Sequence, residues 1–187
     1  YPLNDSLNVL ISNYKRSVVM LSSWTLVCAV LTVILLWDLL FSSGLLYSRD
    51  FIFPYDLSSY TDSLSTWSDL QSQRNLEINK IPIFSLLVAT SGIFGSEAVV
   101  KTLLAAAVFL TSFMPFFSIF LLLRDRIKSI SKLYLVCAIP SILYLLNPWV
   151  VDKISNHIFM VFGMALTPLI LITYTKMLDK GANLSRI

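Results

Sequence analysis

Residues 102–123 read TLLAAAVFLTSFMPFFSIFLLL, an unbroken run of 22 residues without a charged side chain. A helix of about 20 apolar residues crosses the ~30 Å hydrocarbon core of a bilayer, because each residue rises ~1.5 Å. Three further uncharged runs have the same character, at residues 18–37, 133–151 and 158–175. In lipid, only a helix or a closed barrel satisfies every backbone N–H and C=O group. The sequence therefore predicts an all-α fold: a polytopic helical membrane protein with about four transmembrane helices.

The composition of the chain agrees with this prediction. Of its 187 residues, 56% are hydrophobic and 13% are charged, whereas a soluble chain is about 25% charged. Cys28 and Cys137 lie inside apolar runs, so they predict neither a disulfide framework nor a cysteine metal site. The basic residues lie at the ends of the runs rather than on a stripe that could bind nucleic acid. We therefore expect membrane lipids, and no nucleic acid, as partners.

The whole chain, residues 1–187, is predicted to form one membrane domain. The first apolar run exceeds the 7–15 residues of a signal-peptide core, so we expect an uncleaved anchor. Before it, leucines at helical spacing predict a cytoplasmic amphipathic segment. After it comes a long extracytoplasmic loop, in which Tyr60, Leu64, Trp67 and Leu70 recur at helical spacing and predict a helix on the membrane surface. The expected bounds are 1–16 for the amphipathic segment, 42–80 for the loop, and about 18–41, 98–123, 133–151 and 155–175 for the spans.

A further apolar run, at residues 81–96, leaves the number of spans open. It has 16 residues, opens with Pro82 and carries two glycines near its end, which favours a re-entrant or interfacial segment leading into a helix capped by Ser96. A multi-pass protein of the cell membrane with four spans and both termini in the cytoplasm has 9 of its 14 basic residues inside, as the positive-inside rule requires. Five spans with the N-terminus outside place 10 inside. Charge alone does not separate the two arrangements.

A candidate acidic site follows the first span. Asp50 stands between Arg49 and a Phe53-Pro54-Tyr55 turn, where its carboxylate can act as a general base. Asp56 can join it as an oxygen ligand of a divalent cation, Mg²⁺ or Mn²⁺. The alternative interpretation is an ordinary interfacial aspartate that pairs with Arg49.

A second candidate site connects the last two spans, where residues 147–157 read NPWVVDKISNH. Lys153 and His157 crowd a short turn, and a cation beside an imidazole can hold a phosphate at headgroup level. Asp152 is a further candidate oxygen ligand for a metal ion. The alternative interpretation is a helical corner with a solvated histidine.

Both stretches resemble motifs of archaeal-type multi-pass membrane glycosyltransferases of the GT-C class. Such proteins have a "G-D-F-x-F-P" sequence in the loop after the first span, and residues 49–54 here read RDFIFP. They also have an "N-P-W-V-V-D-R-I-x-x-G-H" turn followed by "A-L-x-P-L". The corresponding stretches here are the turn at residues 147–157, which is one residue shorter than that motif, and ALTPL at residues 165–169.

The resemblance covers residues 17–175 and its motifs are short. Arg49, Lys153 and Asn156 stand where the family has glycine, arginine and glycine. Family members usually have many more spans than four, so the resemblance implies either a partial module of such an enzyme, its N-terminal portion, or a reduced relative.

The resemblance implies transfer of a sugar from a polyprenyl-phosphate donor outside the cytoplasm. By that resemblance Asp50 is the catalytic base, Lys153 and His157 bind the donor phosphate, and Asp56 or Asp152 holds the metal ion. Two other functions are compatible with the sequence: a non-catalytic subunit that docks other membrane subunits through the 42–80 loop, and part of a transporter.

Overall fold

The computed structural model describes residues 2–44, 67–68, 73–74, 81–156 and 158–184. These ranges contain seven helices and one pair of two-residue strands. The helices are α1 (Pro2–Leu35), α2 (Trp37–Phe41), α3 (Ile81–Phe94), α4 (Ser96–Leu123), α5 (Ile130–Leu145), α6 (Pro148–Asn156) and α7 (Ile158–Leu184). The strands β1 (Trp67–Ser68) and β2 (Gln73–Arg74) pair antiparallel, with Trp67 opposite Arg74.

Three segments are long and apolar enough to cross a membrane: Tyr14–Leu35 in α1, the whole of α4, and Met160–Leu178 in α7. Helices α5 and α6 pass the same test together, but they meet at an angle of 58°. The predicted all-α, polytopic fold is confirmed. The third predicted span, at 133–151, is divided in the structure between α5 and α6.

Helix α1 joins two elements that the sequence treats as separate. The predicted amphipathic segment and the first predicted span form one helix from Pro2 to Leu35. No glycine or proline lies between them, and Lys15 and Arg16 are good helix formers. The span then ends earlier than residue 41, because Leu36 interrupts the helix before the short α2.

Gly95 separates α3 from α4. Its φ of +82° lies in the left-handed region that glycine adopts without steric cost, and its N–H donates to the carbonyl of Ser91 at 2.8 Å. Helix α4 begins at Ser96, where the sequence predicts a new helix. The apolar part of α3, Ser85–Phe94, is too short to count as a span, in agreement with a re-entrant or interfacial segment.

The predicted surface helix is wrong at the residues of it that the structure describes. Trp67 and Ser68 form a strand rather than part of a helix. Tryptophan suits a paired strand, and serine competes with helical hydrogen bonding through its own hydroxyl. The other members of the stripe (Tyr60, Leu64 and Leu70) lie outside the described residues.

The chain divides into two compact units, which we call unit 1 (residues 1–35 and 107–187) and unit 2 (residues 36–106). The core of unit 1 is a buried cluster that α1, α4 and α5 share. It consists of Met20, Trp24, Cys28, Phe116, Phe120, Leu133, Cys137 and Ala138.

Trp24 lies at the centre of this cluster and is 1% exposed. Its ring stacks on Phe116 with centroids 4.5 Å apart and meets the edge of Tyr134 at 5.9 Å. The indole Nε1–H donates to the backbone carbonyl of Ser112 at 3.3 Å. Pro115 lacks a backbone N–H, which leaves the carbonyl of Thr111, four residues earlier, without its helical donor. The indole of Trp24 binds the adjacent carbonyl, that of Ser112.

Candidate functional site

The second predicted site begins at a helix break after α5. The Asn147 side chain Oδ1 accepts a hydrogen bond from the N–H of Trp149 at 2.9 Å, and the Asn147 carbonyl accepts from Val151 at 3.0 Å. Asparagine is a preferred N-cap, and proline is favoured at the first helical position, which Pro148 occupies. The Asn-Pro pair therefore ends one helix direction and starts another, which makes α6 a corner helix.

Helix α6 carries two of the predicted site residues, and they pair with each other. Lys153 Nζ lies 2.9 Å from Asp152 Oδ2, and the two side chains are 21% and 54% exposed. Val150 is buried and anchors the helix, whereas Trp149 is 49% exposed. The Lys153 ammonium therefore lies at the protein surface, paired with the Asp152 carboxylate.

The three other predicted site residues, Asp50, Asp56 and His157, lie outside the described residues. Of the five predicted members of the site, the structure thus brings together Asp152 and Lys153. Within the ranges that the structure describes, no group of three or more His, Cys, Asp or Glu side chains is arranged to hold a metal ion.

A polar cluster in unit 2 fixes the start of the 42–80 loop. Lys101 Nζ lies 2.7 Å from Glu97 Oε1 and also donates to the carbonyl of Ser42. The same Glu97 oxygen accepts a hydrogen bond from the Gly44 N–H at 3.1 Å. Gly44 has a φ of +107°, so the chain turns here in a conformation that side chains disfavour. We call these four residues the loop anchor.

The loop anchor is a feature that the sequence-based prediction missed. The hydropathy pattern alone assigns no role to Glu97 or Lys101. The spacing of Glu97 and Lys101, with the acid four residues before the base, is the favourable one for an ion pair on a helix. That spacing could have revealed the pair, but not its contacts with Ser42 and Gly44.

Two half-buried cations join helices at one end of unit 1. Arg16 Nη2 donates to the carbonyl of Ile127 at 3.0 Å, and Lys176 Nζ donates to the carbonyl of Leu121 at 2.8 Å. The last carbonyls of a helix have no partner within the helix, and cations are favoured there. Lys176 therefore caps α4 from α7. We call this end of unit 1, with Arg16, residues 124–129 and Lys176, the basic end.

These contacts fix the directions of the helices in unit 1. Arg16 lies beside Ile127, and Trp24 lies beside Phe116 and Ser112, so α1 and α4 are antiparallel. Helix α5 starts from the basic end and runs away from it, as α1 does.

Helix α7 runs back towards the basic end. The Tyr144 hydroxyl of α5 donates to the carbonyl of Met164 at 2.8 Å, and Lys176 reaches Leu121 further along. The last residues of α1 and of α5 thus lie at the same end of unit 1, opposite the basic end.

Comparison of the chain with protein-family models, with curated proteins and with solved structures gave no match.

Proposed function

We propose that this chain is the N-terminal membrane module of a GT-C-like glycosyltransferase that uses a polyprenyl-phosphate sugar donor. The observation that carries the proposal is the common direction of α1 and α5. Because both run away from the basic end, the chain leaves them on one side of unit 1. The segment with Asp50 follows α1 in sequence, and the corner helix with Lys153 follows α5. This arrangement supports the same side of the membrane for the two motifs.

The proposed sidedness follows from the charges. Arg16, Lys176 and the basic connection between α4 and α5 lie at the basic end, and lysine and arginine near span ends are retained in the cytoplasm. Both termini of a multi-pass protein of the cell membrane are then cytoplasmic. Five spans would require Arg16 and Ile127 on opposite faces of the membrane, whereas they are hydrogen-bonded. The bond supports four crossings, with α3 as an interfacial or re-entrant helix.

The proposed reaction follows from the resemblance. The acceptor hydroxyl oxygen attacks the anomeric carbon of the sugar and loses its proton to the Asp50 carboxylate. The bond between that carbon and the donor phosphate oxygen breaks, and the phosphate leaves with the electron pair. Lys153 and His157 would stabilise the negative charge that develops on the leaving phosphate.

The metal part of this proposal fits Asp152 poorly. Its carboxylate lies 2.9 Å from the Lys153 ammonium, which would repel a divalent cation at the same oxygen. A bound Mg²⁺ or Mn²⁺ therefore has Asp56 as its remaining proposed ligand, and no step of the reaction is assigned to it.

The first test is the sidedness of the 42–80 loop. A single cysteine at Ser68, in a background with Cys28→Ala and Cys137→Ala, is treated in intact cells with a membrane-impermeant thiol reagent. A cysteine at Ser129, in the connection between α4 and α5, is the matched control. We expect Ser68→Cys to react in intact cells and Ser129→Cys to react after permeabilisation. The reverse pattern would put the 42–80 loop, and Asp50 with it, on the cytoplasmic side and would contradict the proposal.

The second test is sugar transfer in membranes that contain the full chain together with the rest of its enzyme. A positioned base contributes about 10²–10⁴-fold to a rate, so Asp50→Asn should reduce transfer from a labelled polyprenyl-phosphate sugar by at least about a hundredfold. Asp69→Asn, in the same loop, should leave transfer unchanged. Equal activities of the two variants would contradict the assigned role of Asp50.

One observation weakens the phosphate-binding role of Lys153, and a second candidate, a non-catalytic subunit that docks a partner through the 42–80 loop, does not need that role. The Lys153 cation is already neutralised by Asp152, which lowers its attraction for a donor phosphate. If the chain is such a subunit, Asp50→Asn should leave activity unchanged, and Trp67→Ala should reduce the yield of partner subunits that copurify with the chain.

A further inference from the structure

We propose that the connection between α4 and α5 is a binding surface for the phosphate headgroups of anionic membrane lipids. The connection and the first turn of α5, residues 124–132, contain four basic side chains and one acidic side chain. The acid, Asp125, is 3.7 Å from the Nε of Arg124 in an exposed pair. Within the described part of the chain, Arg126, Lys128 and Lys132 make no ion pair, so three cations face outward from a short segment.

The geometry of the connection explains why these cations point outward. Ile127 packs against the buried cluster of unit 1, and its carbonyl is held by Arg16. Because Ile127 is directed inward, its sequence neighbours Arg126 and Lys128 are exposed. Arg16 is half-buried and is used to hold the protein together, whereas the cations of the connection are available to a ligand.

The depth of the connection selects a lipid headgroup as the partner. Leu122 and Ile130, which flank it on α4 and α5, are exposed apolar side chains of helices that enter the hydrocarbon. The cations therefore lie where the hydrocarbon gives way to headgroups, and anionic headgroups attract lysine and arginine at that level. This binding surface is at the basic end and is independent of any sugar transfer.

The test is the selection of lipids by the full chain. The protein is taken from bilayers of mixed phosphatidylcholine and phosphatidylglycerol with identical acyl chains, and the lipids that remain bound are counted by native mass spectrometry. A triple variant, with Arg126, Lys128 and Lys132 changed to Gln, removes the proposed surface. A second triple variant, with Arg49, Arg74 and Lys80 changed to Gln, makes the same change in net charge within the 42–80 loop.

We expect the wild-type chain and the loop variant to retain phosphatidylglycerol in preference to phosphatidylcholine. Each cation near an anionic surface contributes about fivefold to binding, so the first variant should lose up to about a hundredfold in that preference. Lys128→Gln alone should lose about fivefold, which keeps the test available if the triple variant does not fold. An unchanged preference in these variants would overturn the proposal. Displacement of the lipid by an equal concentration of inorganic phosphate would also overturn it, because the surface would then bind a soluble anion.

Discussion

Replacement of Trp24 by alanine removes three contacts that join α1 to α4 and α5. Two are ring contacts, with Phe116 and Tyr134, and aromatic pairs contribute about 0.5–1.5 kcal/mol each. The third is the hydrogen bond to Ser112, which contributes about 1 kcal/mol. The cavity adds a further cost, and buried Trp→Ala substitutions lose about 3–5 kcal/mol in all. We expect Trp24→Ala to lower the free energy of unfolding by about 4 kcal/mol, or roughly a thousandfold in the equilibrium constant.

The assay is reversible unfolding of the purified chain in mixed micelles, with SDS as denaturant and far-UV circular dichroism as the signal. Trp149→Ala is the matched control, because Trp149 is 49% exposed and should lose less than about 1 kcal/mol. Trp24→Phe keeps most of the ring and should lie between the two. If Trp24→Ala costs no more than Trp149→Ala, the proposed core of unit 1 is wrong.

Three further predictions concern polar groups. Lys101→Met should speed hydrogen exchange at the Gly44 amide, measured by mass spectrometry, because the Glu97 carboxylate that accepts from this amide loses its cation. Lys101→Arg should preserve the protection. Equally slow exchange in the wild type and both variants would argue against the loop anchor. Arg16→Gln should cost about 1–2 kcal/mol in the SDS assay, with Lys15→Gln as a neutral control; equal costs would mean that the bond of Arg16 does not hold the basic end. Ser118 has a buried hydroxyl for which the described part of the chain offers no hydrogen-bond partner, so Ser118→Ala should be neutral or stabilising by up to about 1 kcal/mol, and a clear loss of stability would reveal a partner.

The all-α class and the presence of several long apolar helices could be predicted from the sequence because hydropathy reports them directly. The bend after α5 could not, since a hydropathy count adds apolar residues without recording a change of direction. Asn147-Pro148 carried the signal, as an N-cap followed by a first-turn proline. Trp67 shows a pattern that misleads. Its spacing fits a helical stripe, but in the structure it pairs in a short strand.

The candidate sites were less predictable because they depend on side-chain contacts, which spacing along the sequence does not specify. Spacing suggested that Lys153 could meet a phosphate, but it did not reveal that the neighbouring Asp152 is its closest charge. Similarly, hydropathy and charge give no contact partner for Arg16. Its bond to Ile127, 111 positions further along the chain, requires the antiparallel packing of α1 and α4, which no local pattern encodes.

The bend between α5 and α6 also bears on the lipid around the protein. Helix α5 has 16 residues and is therefore about 24 Å long, whereas the 28 residues of α4 extend for about 42 Å. Against a hydrocarbon thickness of ~30 Å, one helix is too short and the other must tilt or protrude. We expect the two leaflets to draw together beside α5, so that bilayers of short-chain phospholipids surround this corner with less elastic strain than bilayers of long-chain ones.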